Sequence, residues 1–381
     1  MDKLIYLDNA ATTKILDSNR EILNQSFNDF YNPSSAYKQG IFAKKQLDES
    51  RVKMSKLLGG ENGKFIFTSR ATESNNTVFA GIKLRQGQKV LISKAEHPSV
   101  YLAAHRLEES GITVEDLPLN SQGQVDFEKY KKMFDKNVAL ISVMHVSNET
   151  GAINNIKQLC EFAKLYNPKI IFHCDGVQAF GKIDVNVDEL GVDLYSVSAH
   201  KVYAPRGIAG LWIKNSVQLK PLLVGGGQEF GLRSSTENLL GAICFAKTAE
   251  CVVRNLETNN AKVEKNRRNL LDLLQKSDVK DYFLVNSCES QSPYILSLSF
   301  DGIKGEVLAN ALELDGILIS TGSACSSKKA GNRTLEAMGK KTSEVVGSVR
   351  ISFSAYDDYD VKYVADAIIK NVLRLMKNVK K

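Results

Sequence analysis

Short apolar segments alternate with helical segments through the first two-thirds of this chain, and this alternation limits the fold more than any other feature of the sequence. Strand-like segments rich in Val, Ile and Leu occupy residues 89–93, 137–145 and 169–175, and a helical segment occupies residues 156–166. Strands that alternate with helices are typical of a mostly parallel sheet covered by helices on both faces. The sequence therefore predicts an α/β fold.

Length and composition are those of an ordinary globular protein. The 381 residues suffice for about two domains. The net charge of +7 is spread along the chain apart from a basic C-terminal end, so we expect no nucleic-acid-binding surface. The six cysteines lack the CxxC spacing of a zinc site and indicate neither a metal centre nor a disulfide framework.

The N-terminal residues and the lengths of the apolar runs indicate the cellular compartment of the protein. The N-terminal residues lack the charged-then-apolar pattern of a signal peptide. No apolar run approaches the ~20 residues that a membrane-spanning helix needs. We therefore expect a cytoplasmic protein with reduced thiols and no membrane partner.

Polar residues follow successive predicted strands at the point where each strand ends. In sheets of this type, ligands bind beyond the carboxyl ends of the strands. A single polar residue there is usually a turn or a helix cap, but several on successive strands predict one shared binding site. The residues are Thr72, His97, Asn148, Asp175, Gln178, His200 and Lys201.

Two segments have the pattern of an anion site. A strand at residues 65–70 runs through Thr72 into a helix, which points backbone N–H groups at a phosphate, although a plain helix cap has the same pattern. A glycine-rich loop at residues 224–238 carries Thr236 to the start of another helix, although a flexible connector would have the same pattern. Together with Ser198 and His200, these threonines are the candidate phosphate ligands.

Lys201 is the candidate nucleophile, because it follows a strand that ends in small polar residues. A lysine whose pKa is lowered by desolvation can form a Schiff base, whereas an ordinary loop lysine stays solvated. A lysine and an aspartate are the main contributions of a protein to pyridoxal phosphate chemistry, and Asp175 suits the second role. His97 would stack on the ring and transfer protons, and Gln178 would bind the ring oxygen.

Arg350 and Cys325 are candidates for handling the substrate. Arg350 interrupts an apolar strand and offers a planar fork for a carboxylate, although a surface ion pair is the alternative. Cys325 lies among Gly, Ser and Ala with two lysines just beyond it. An electropositive setting of small residues favours a reactive thiolate, whereas the other five cysteines lack such a setting.

These residues fall in motifs that resemble those of the cysteine desulfurases of the NifS/IscS type, within the fold-type I pyridoxal-phosphate enzymes. The resemblance covers nearly the whole chain, and the order and spacing of the motifs make it specific. The motifs are YLDNAATT at 6–13, ATESNN at 71–76, EH at 96–97, NE at 148–149, Asp175 with Gln178, SAHK at 198–201, GGGQE at 225–229, RSSTEN at 233–238, SAC at 323–325 and SVR at 348–350.

The resemblance implies an architecture. It implies a large cofactor-binding domain of residues 15–258, built on a mostly parallel sheet with helices on both sides. A smaller α+β domain of residues 1–14 and 259–381 would carry the catalytic cysteine loop. It also implies a homodimer. Thr236 would reach the phosphate of the cofactor in the neighbouring subunit, and Ala71 would help to bind the cofactor in its own subunit.

The resemblance also implies an activity. Lys201 would hold pyridoxal 5′-phosphate as a Schiff base, Arg350 and Asn148 would bind the carboxylate of L-cysteine, and Lys201 and His97 would move protons. Cys325 would take the substrate sulfur as a persulfide, release L-alanine and pass the sulfur to an acceptor such as an iron–sulfur scaffold protein. A selenocysteine lyase, an aminotransferase of the same fold and a non-catalytic scaffold paralogue are the alternatives.

Four positions depart from the family's usual residues. Arg70 stands where Gly is usual before Ala-Thr-Glu, and Ser147 replaces the first Asn of Asn-Asn-Glu. Ala204 and Ser235 each replace a Gly. None of these changes removes a proposed catalytic group, but Arg70 is expected close to the phosphate and would alter cofactor affinity.

Overall fold

The computed structural model describes residues 4–25, 28, 30–287, 290–321 and 332–379. Cys325, predicted from the sequence to be catalytic, lies outside these residues, as does the rest of the SAC motif. Within the described ranges, no helix is long and apolar enough to cross a membrane. The same ranges contain no cluster of His, Cys, Asp and Glu that could hold a metal ion.

The elements follow the alternation that the sequence predicts. Short 3₁₀ helices lie at Arg106–Ser110, Ala199–Lys201 and Glu229–Gly231. In chain order the other elements are β1 (Ile5–Tyr6), α1 (Ser18–Gln25), α2 (Lys38–Leu57), β2 (Gly63–Thr68), α3 (Ala71–Gly81), β3 (Lys89–Ser93), α4 (Pro98–His105), β4 (Thr113–Leu117), α5 (Phe127–Lys132), β5 (Val138–Ser142), α6 (Ile156–Tyr166), β6 (Ile171–Asp175), α7 (Val187–Leu190), β7 (Leu194–Ser198), β8 (Ala209–Lys214), α8 (Leu239–Arg254), α9 (Leu256–Gln275), β9 (Phe283–Val285), β10 (Ile295–Phe300), α10 (Gly305–Leu314), β11 (Ile317–Leu318), β12 (Ser320–Thr321), α11 (Arg333–Ala337), α12 (Thr342–Val346), β13 (Ser348–Ser352) and α13 (Val361–Val379).

The central sheet has seven strands in the order β2-β8-β7-β6-β5-β3-β4. The pairs β7-β6, β6-β5, β5-β3 and β3-β4 are parallel, whereas β8 pairs antiparallel with both β2 and β7. Only β8 therefore runs in the opposite direction, and the other six strands end at one edge. This confirms the mostly parallel α/β sheet, and the reversed strand is an addition that the sequence did not reveal.

Both faces of the central sheet are covered, as expected for a parallel sheet. Successive residues of β3 show this, because side chains alternate between the faces of a strand. Leu91 packs into the core that includes Met54 of α2, whereas Val90 and Ile92 pack into the core that includes Val78 of α3. The strands therefore read as continuous apolar runs.

A second sheet and a separate core are built largely from the C-terminal part of the chain. Strands β12-β13-β10-β9 form an antiparallel sheet, and β1 pairs in parallel with β11. Ile5 and Leu7 from the N-terminus pack in the same core as Val263 and Val372. The division into a domain of residues 15–258 and a domain of residues 1–14 with 259–381 stays a prediction, because Leu335, Met338 and Val345 pack in the core of the central sheet.

The glycine-rich loop at residues 224–238 is fixed to α2 by a buried ion pair and to β2 of the central sheet by a hydrogen bond. Arg51 of α2 pairs with Glu229, and the Glu229 Oε2 accepts the N–H of Phe67 at 2.8 Å. Glu229 and Phe230 have positive φ angles of 51° and 60°, which non-glycine residues rarely adopt. The loop is thus held by specific contacts, contrary to the reading of it as a flexible connector.

Candidate active site

A cavity of about 330 Å³ opens at the edge of the central sheet where the six co-directional strands end. This volume is within the usual range for small-molecule sites. Thr236 does not line the cavity, and Cys325 lies outside the described residues. The predicted site residues that line it are Ala71, Thr72, His97, Asn148, Asp175, Gln178, Ser198, His200, Lys201 and Arg350.

One end of the cavity is suited to an anion. Ala71 and Thr72 form the first turn of α3, whose backbone N–H groups and positive dipole end favour negative charge. Ser198 is only 2% exposed, and its Oγ has no hydrogen-bond partner within the described part of the chain. A buried hydroxyl normally has a partner, so this one is suited to bind a ligand oxygen.

His200 lies at the same end of the cavity, and its imidazole ring is neutral. Burial, together with the positive charges of Lys201 and Arg206, lowers the pKa of His200 to about 3. Its Nδ1 lies 3.2 Å from the Thr12 Oγ1. A neutral His200 ring can donate one N–H hydrogen bond to an anion at neutral pH, but it adds no charge.

Arg70, the departure nearest to the expected phosphate, lines the cavity beside Ala71. It is the residue immediately before α3, and its backbone is extended. Its charge contributes to the lowered pKa of His200, which indicates that the guanidinium acts on this end of the cavity. Arg70 thus adds a positive charge where the helix end already favours an anion.

Asp175 ends β6 and is held by two hydrogen bonds. Its Oδ1 accepts the N–H of Val177 at 3.1 Å, and its Oδ2 accepts Nδ2 of Asn75 at 3.0 Å. Both bonds leave the carboxylate fixed at the cavity wall. Asn75 belongs to the ATESNN motif but was not predicted as a site residue. Its position one helical turn after Ala71, on the same face of the helix, could have indicated that it faces the site.

Asn75 also connects Asp175 to His97. Its Nδ2 donates to the Ser99 Oγ at 2.9 Å, and the Ser99 backbone N–H donates to Nδ1 of His97 at 3.2 Å. Because a backbone N–H can only donate, Nδ1 accepts, and the proton of the neutral ring lies on Nε2. The pKa of His97 is lowered, chiefly by burial, which favours this neutral form.

Lys201 reaches the segment that follows β1. Its Nζ donates to the carbonyl oxygens of Ala10 at 2.5 Å and Ala11 at 2.6 Å. Nε2 of Gln178 donates to the same Ala10 oxygen at 2.9 Å. The alanines of the YLDNAATT motif thus form a wall of the cavity through their backbone, which side-chain reasoning did not predict.

Arg350 is 4% exposed, which excludes the surface ion pair considered from the sequence. Its Nη1 donates to the Asn148 backbone oxygen at 2.9 Å, and its Nη2 donates to the Asp8 Oδ1 at 2.9 Å. Glu149 Oε1 lies 3.5 Å from Nη1. Burial raises the pKa of Glu149, and Arg350 opposes this rise. Asp8 is less buried than Glu149, so an incoming carboxylate would compete with Asp8 for the guanidinium.

Ser147 preserves the turn that positions Asn148. Its Oγ accepts the N–H groups of Glu149 at 3.3 Å and Thr150 at 3.2 Å. A serine hydroxyl closes such turns in the same way as an asparagine side chain. The Asn148 Nδ2 donates to the Glu149 Oε1 at 2.8 Å. The exchange of Asn for Ser at position 147 therefore leaves a well-formed turn.

Thr236 is exposed and lies in a second, smaller cavity of about 120 Å³, beside the end of β2. Asn238 in the same loop caps α8, since its Oδ1 accepts the Gly241 N–H at 2.9 Å. Ser235, which replaces a usual glycine, has a φ angle of 153°. The structure thus does not bring Thr236 to the cavity of its own chain.

Comparisons with known proteins agree with this architecture. The sequence matches the family described as aminotransferase class-V over residues 5–364. It is 35% identical to the cysteine desulfurase IscS of Dictyoglomus turgidum, over 98% of this chain and 96% of that protein. The solved structure of a NifS-like protein superposes with a TM-score of 0.89 at 31% identity, covering 99% of this chain and 100% of the other.

A further solved structure is described as SspA in complex with cysteine. It has a TM-score of 0.79 at 27% identity and covers 93% of this chain and 100% of the other. The NifS-like match confirms the predicted fold type, and the curated match extends over almost the full length of both chains. The chain therefore belongs to the aminotransferase class-V family and, within it, to the cysteine desulfurases of the NifS/IscS type.

Proposed function

We propose that this enzyme binds pyridoxal 5′-phosphate in the cavity at Lys201 and converts L-cysteine to L-alanine, with transfer of the sulfur to Cys325. The observation that carries the proposal is the placement of an amine, Lys201, and a fixed carboxylate, Asp175, in one cavity with an anion-binding end. Cys325 enters the proposal from its sequence motif and from family membership.

The residues present fit the cofactor. The unpartnered Ser198 hydroxyl, the start of α3 at Ala71 and Thr72, and the neutral His200 suit a phosphate. When bound, pyridoxal phosphate acts as an electron sink for the carbon atoms of an amino acid substrate. Asp175 suits a protonated ring nitrogen, because a carboxylate can only accept hydrogen bonds.

The chain's own residues would then bind the substrate and move protons. His97 carries its proton on Nε2, and Ser99 and Asn75 hold its ring in place. Lys201 Nζ donates two hydrogen bonds to backbone carbonyls, which position the amine. Arg350 would take the substrate carboxylate in exchange for Asp8, next to Asn148.

The proposal also includes two partners, a protein that accepts the sulfur and a second copy of the enzyme. We propose that the Cys325 persulfide passes its sulfur to an acceptor protein such as an iron–sulfur scaffold, in the cytoplasm. We also propose that the enzyme is a homodimer in which Thr236 contacts the phosphate bound by the neighbouring subunit. The exposure of Thr236, outside the cavity of its own chain, supports this assignment.

The test is a reaction of the purified protein, loaded with pyridoxal phosphate, with L-cysteine in the presence of a thiol reductant. We expect L-alanine and sulfide in equal amounts. L-selenocysteine and a keto-acid acceptor are assayed in parallel. Turnover of selenocysteine alone would favour a lyase, and amino-group transfer would favour an aminotransferase. Absence of all three activities in protein that binds the cofactor would contradict the proposal.

Arg70→Gly is expected to weaken pyridoxal phosphate binding by about threefold to tenfold at low salt, because it removes a cation beside the phosphate end. Glycine is acceptable before a helix, so α3 should persist. The measurement is the dissociation constant of the cofactor for cofactor-free protein at two salt concentrations. Arg85→Gly, at an exposed site after α3, is the control. Equal affinity of the Arg70 variant and the wild type at low salt would show that Arg70 does not contact the anion.

A further inference from the structure

The amide of Gln178 is held in one orientation by two partners of opposite kind. Its Oε1 accepts a hydrogen bond from the Lys182 Nζ at 2.7 Å, and its Nε2 donates to the Ala10 backbone oxygen at 2.9 Å. A backbone oxygen only accepts, and a lysine ammonium only donates. These partners therefore determine which end of the amide is oxygen and which is nitrogen.

The nitrogen end of this amide is the one that lies beside the cavity. Ala10, which accepts from Nε2, lines the cavity and also accepts from Lys201. Lys182, which donates to Oε1, is not among the lining residues. The Nε2 group carries two hydrogens, and Ala10 takes one of them. The other is available to a ligand in the cavity.

Lys182 is an unusual residue for a protein interior. It is 3% exposed, and its Nζ lies 5.8 Å from the centre of the Tyr294 ring. Burial, followed by the positive charges of Lys201 and Arg350, lowers the pKa of Lys182 to about 7. A lysine buried beside two cations costs free energy. Its Nζ retains hydrogens to donate in both the charged and the neutral form.

We propose that Lys182 is a positioning residue that holds the Gln178 amide with its nitrogen toward the cavity, so that Gln178 donates a hydrogen bond to the ring oxygen of bound pyridoxal phosphate. This inference rests on the proposed function. Without Lys182, the buried Oε1 loses its donor, and the amide turns or shifts to find another. The ring oxygen then loses the N–H of Gln178 or meets a carbonyl oxygen.

The main test is Lys182→Met, which keeps an unbranched apolar side chain out to the ε position and removes the amine. Two quantities are measured: the dissociation constant of pyridoxal phosphate, and the pH midpoint of the visible absorption band of the bound cofactor. We expect about tenfold weaker binding, equivalent to 1.4 kcal/mol. We also expect the midpoint to rise by about one pH unit, because a ring oxygen without its donor holds a shared proton more tightly.

Removal of the Lys182 charge would also raise the midpoint, so a double-mutant cycle separates the two effects. In Gln178→Ala protein, the amide is absent, and Lys182→Met should then change the midpoint by less than about a third of its effect in the wild type. Lys182→Gln retains a donor without a charge and should therefore show only the charge-dependent part of the shift, less than about a third of that of Lys182→Met. An equal shift in both backgrounds, or a full shift in Lys182→Gln, would overturn the proposal.

Two controls distinguish the loss of Gln178 positioning from unfolding of the protein and from failure of the proposed function. Lys157→Met replaces an exposed lysine of α6 and should change neither quantity. Thermal unfolding of each variant shows whether the fold persists; if Lys182→Met does not fold, Lys182→Leu, which also lacks a donor, carries the test. A wild-type protein that fails to bind pyridoxal phosphate contradicts the proposed function itself. A wild type that binds it, with Lys182→Met indistinguishable, contradicts only the role of Lys182.

Discussion

Lys201→Ala is expected to lower L-alanine formation from L-cysteine by at least about 10³-fold while the protein stays folded. The substitution removes the amine that would attach the cofactor and move protons. Lys201 is partly buried and its Nζ contacts the backbone oxygens of Ala10 and Ala11. These contacts position the amine, and neither carbonyl can replace it as a nucleophile.

The measurement has a kinetic and a binding part. Alanine formation is followed with saturating pyridoxal phosphate, and attachment is followed as cofactor that stays on the denatured protein after borohydride reduction. Wild type should retain the cofactor, and Lys201→Ala should not. Lys157→Ala is the matched control, because it removes an exposed lysine from α6. Alanine formation by Lys201→Ala at a tenth of the wild-type rate would exclude the assigned role.

The position of the site could be predicted from the sequence because strand ends are a local feature. Asp175 and Ser198 are the last residues of β6 and β7, and His97 and Gln178 follow strands by a few residues. Parallel strands bring such residues to one edge whatever the details of packing. Six of the central strands run in the same direction, and these four residues line one cavity at the edge where they end.

The partners of these residues could not be predicted, because they come from distant parts of the chain. Arg350 contacts Asp8 across 342 positions, and Lys201 contacts the Ala10 oxygen across 191. Periodicity tells which face of an element is apolar, but it does not tell which side chains meet across elements. The hydrogen-bonded connection from Asp175 through Asn75 to His97 was missed for the same reason.

Cys325→Ala is expected to abolish persulfide formation and to lower L-alanine release by at least about 10²-fold, while pyridoxal phosphate still binds. In the proposed reaction, the Cys325 thiol and L-cysteine give the Cys325 persulfide and L-alanine, which conserves all atoms and electrons. Alanine at position 325 has no sulfur to accept the substrate sulfur. Lys201 and the phosphate-binding residues are unchanged, so the absorption of the bound cofactor should persist.

Three of the four described cysteines are too deeply buried to replace Cys325 as the sulfur acceptor. Burial raises the pKa of Cys160 to about 12 and that of Cys244 to about 11, and it also raises the pKa of Cys174. These thiols stay protonated at neutral pH and are poor nucleophiles. Cys251 of α8 is partly exposed, so Cys251→Ala is the matched control and should keep full activity.

The readouts for Cys325 are mass spectrometry of the persulfide and the rate of alanine release. In wild type, the added mass of one sulfur atom should map to the peptide that contains Cys325. The Cys325→Ala protein should show no such mass on any peptide, and Cys251→Ala should match wild type. Alanine release at the full wild-type rate from Cys325→Ala would mean that sulfur leaves the substrate without this thiol, as in a lyase that passes it directly to solvent.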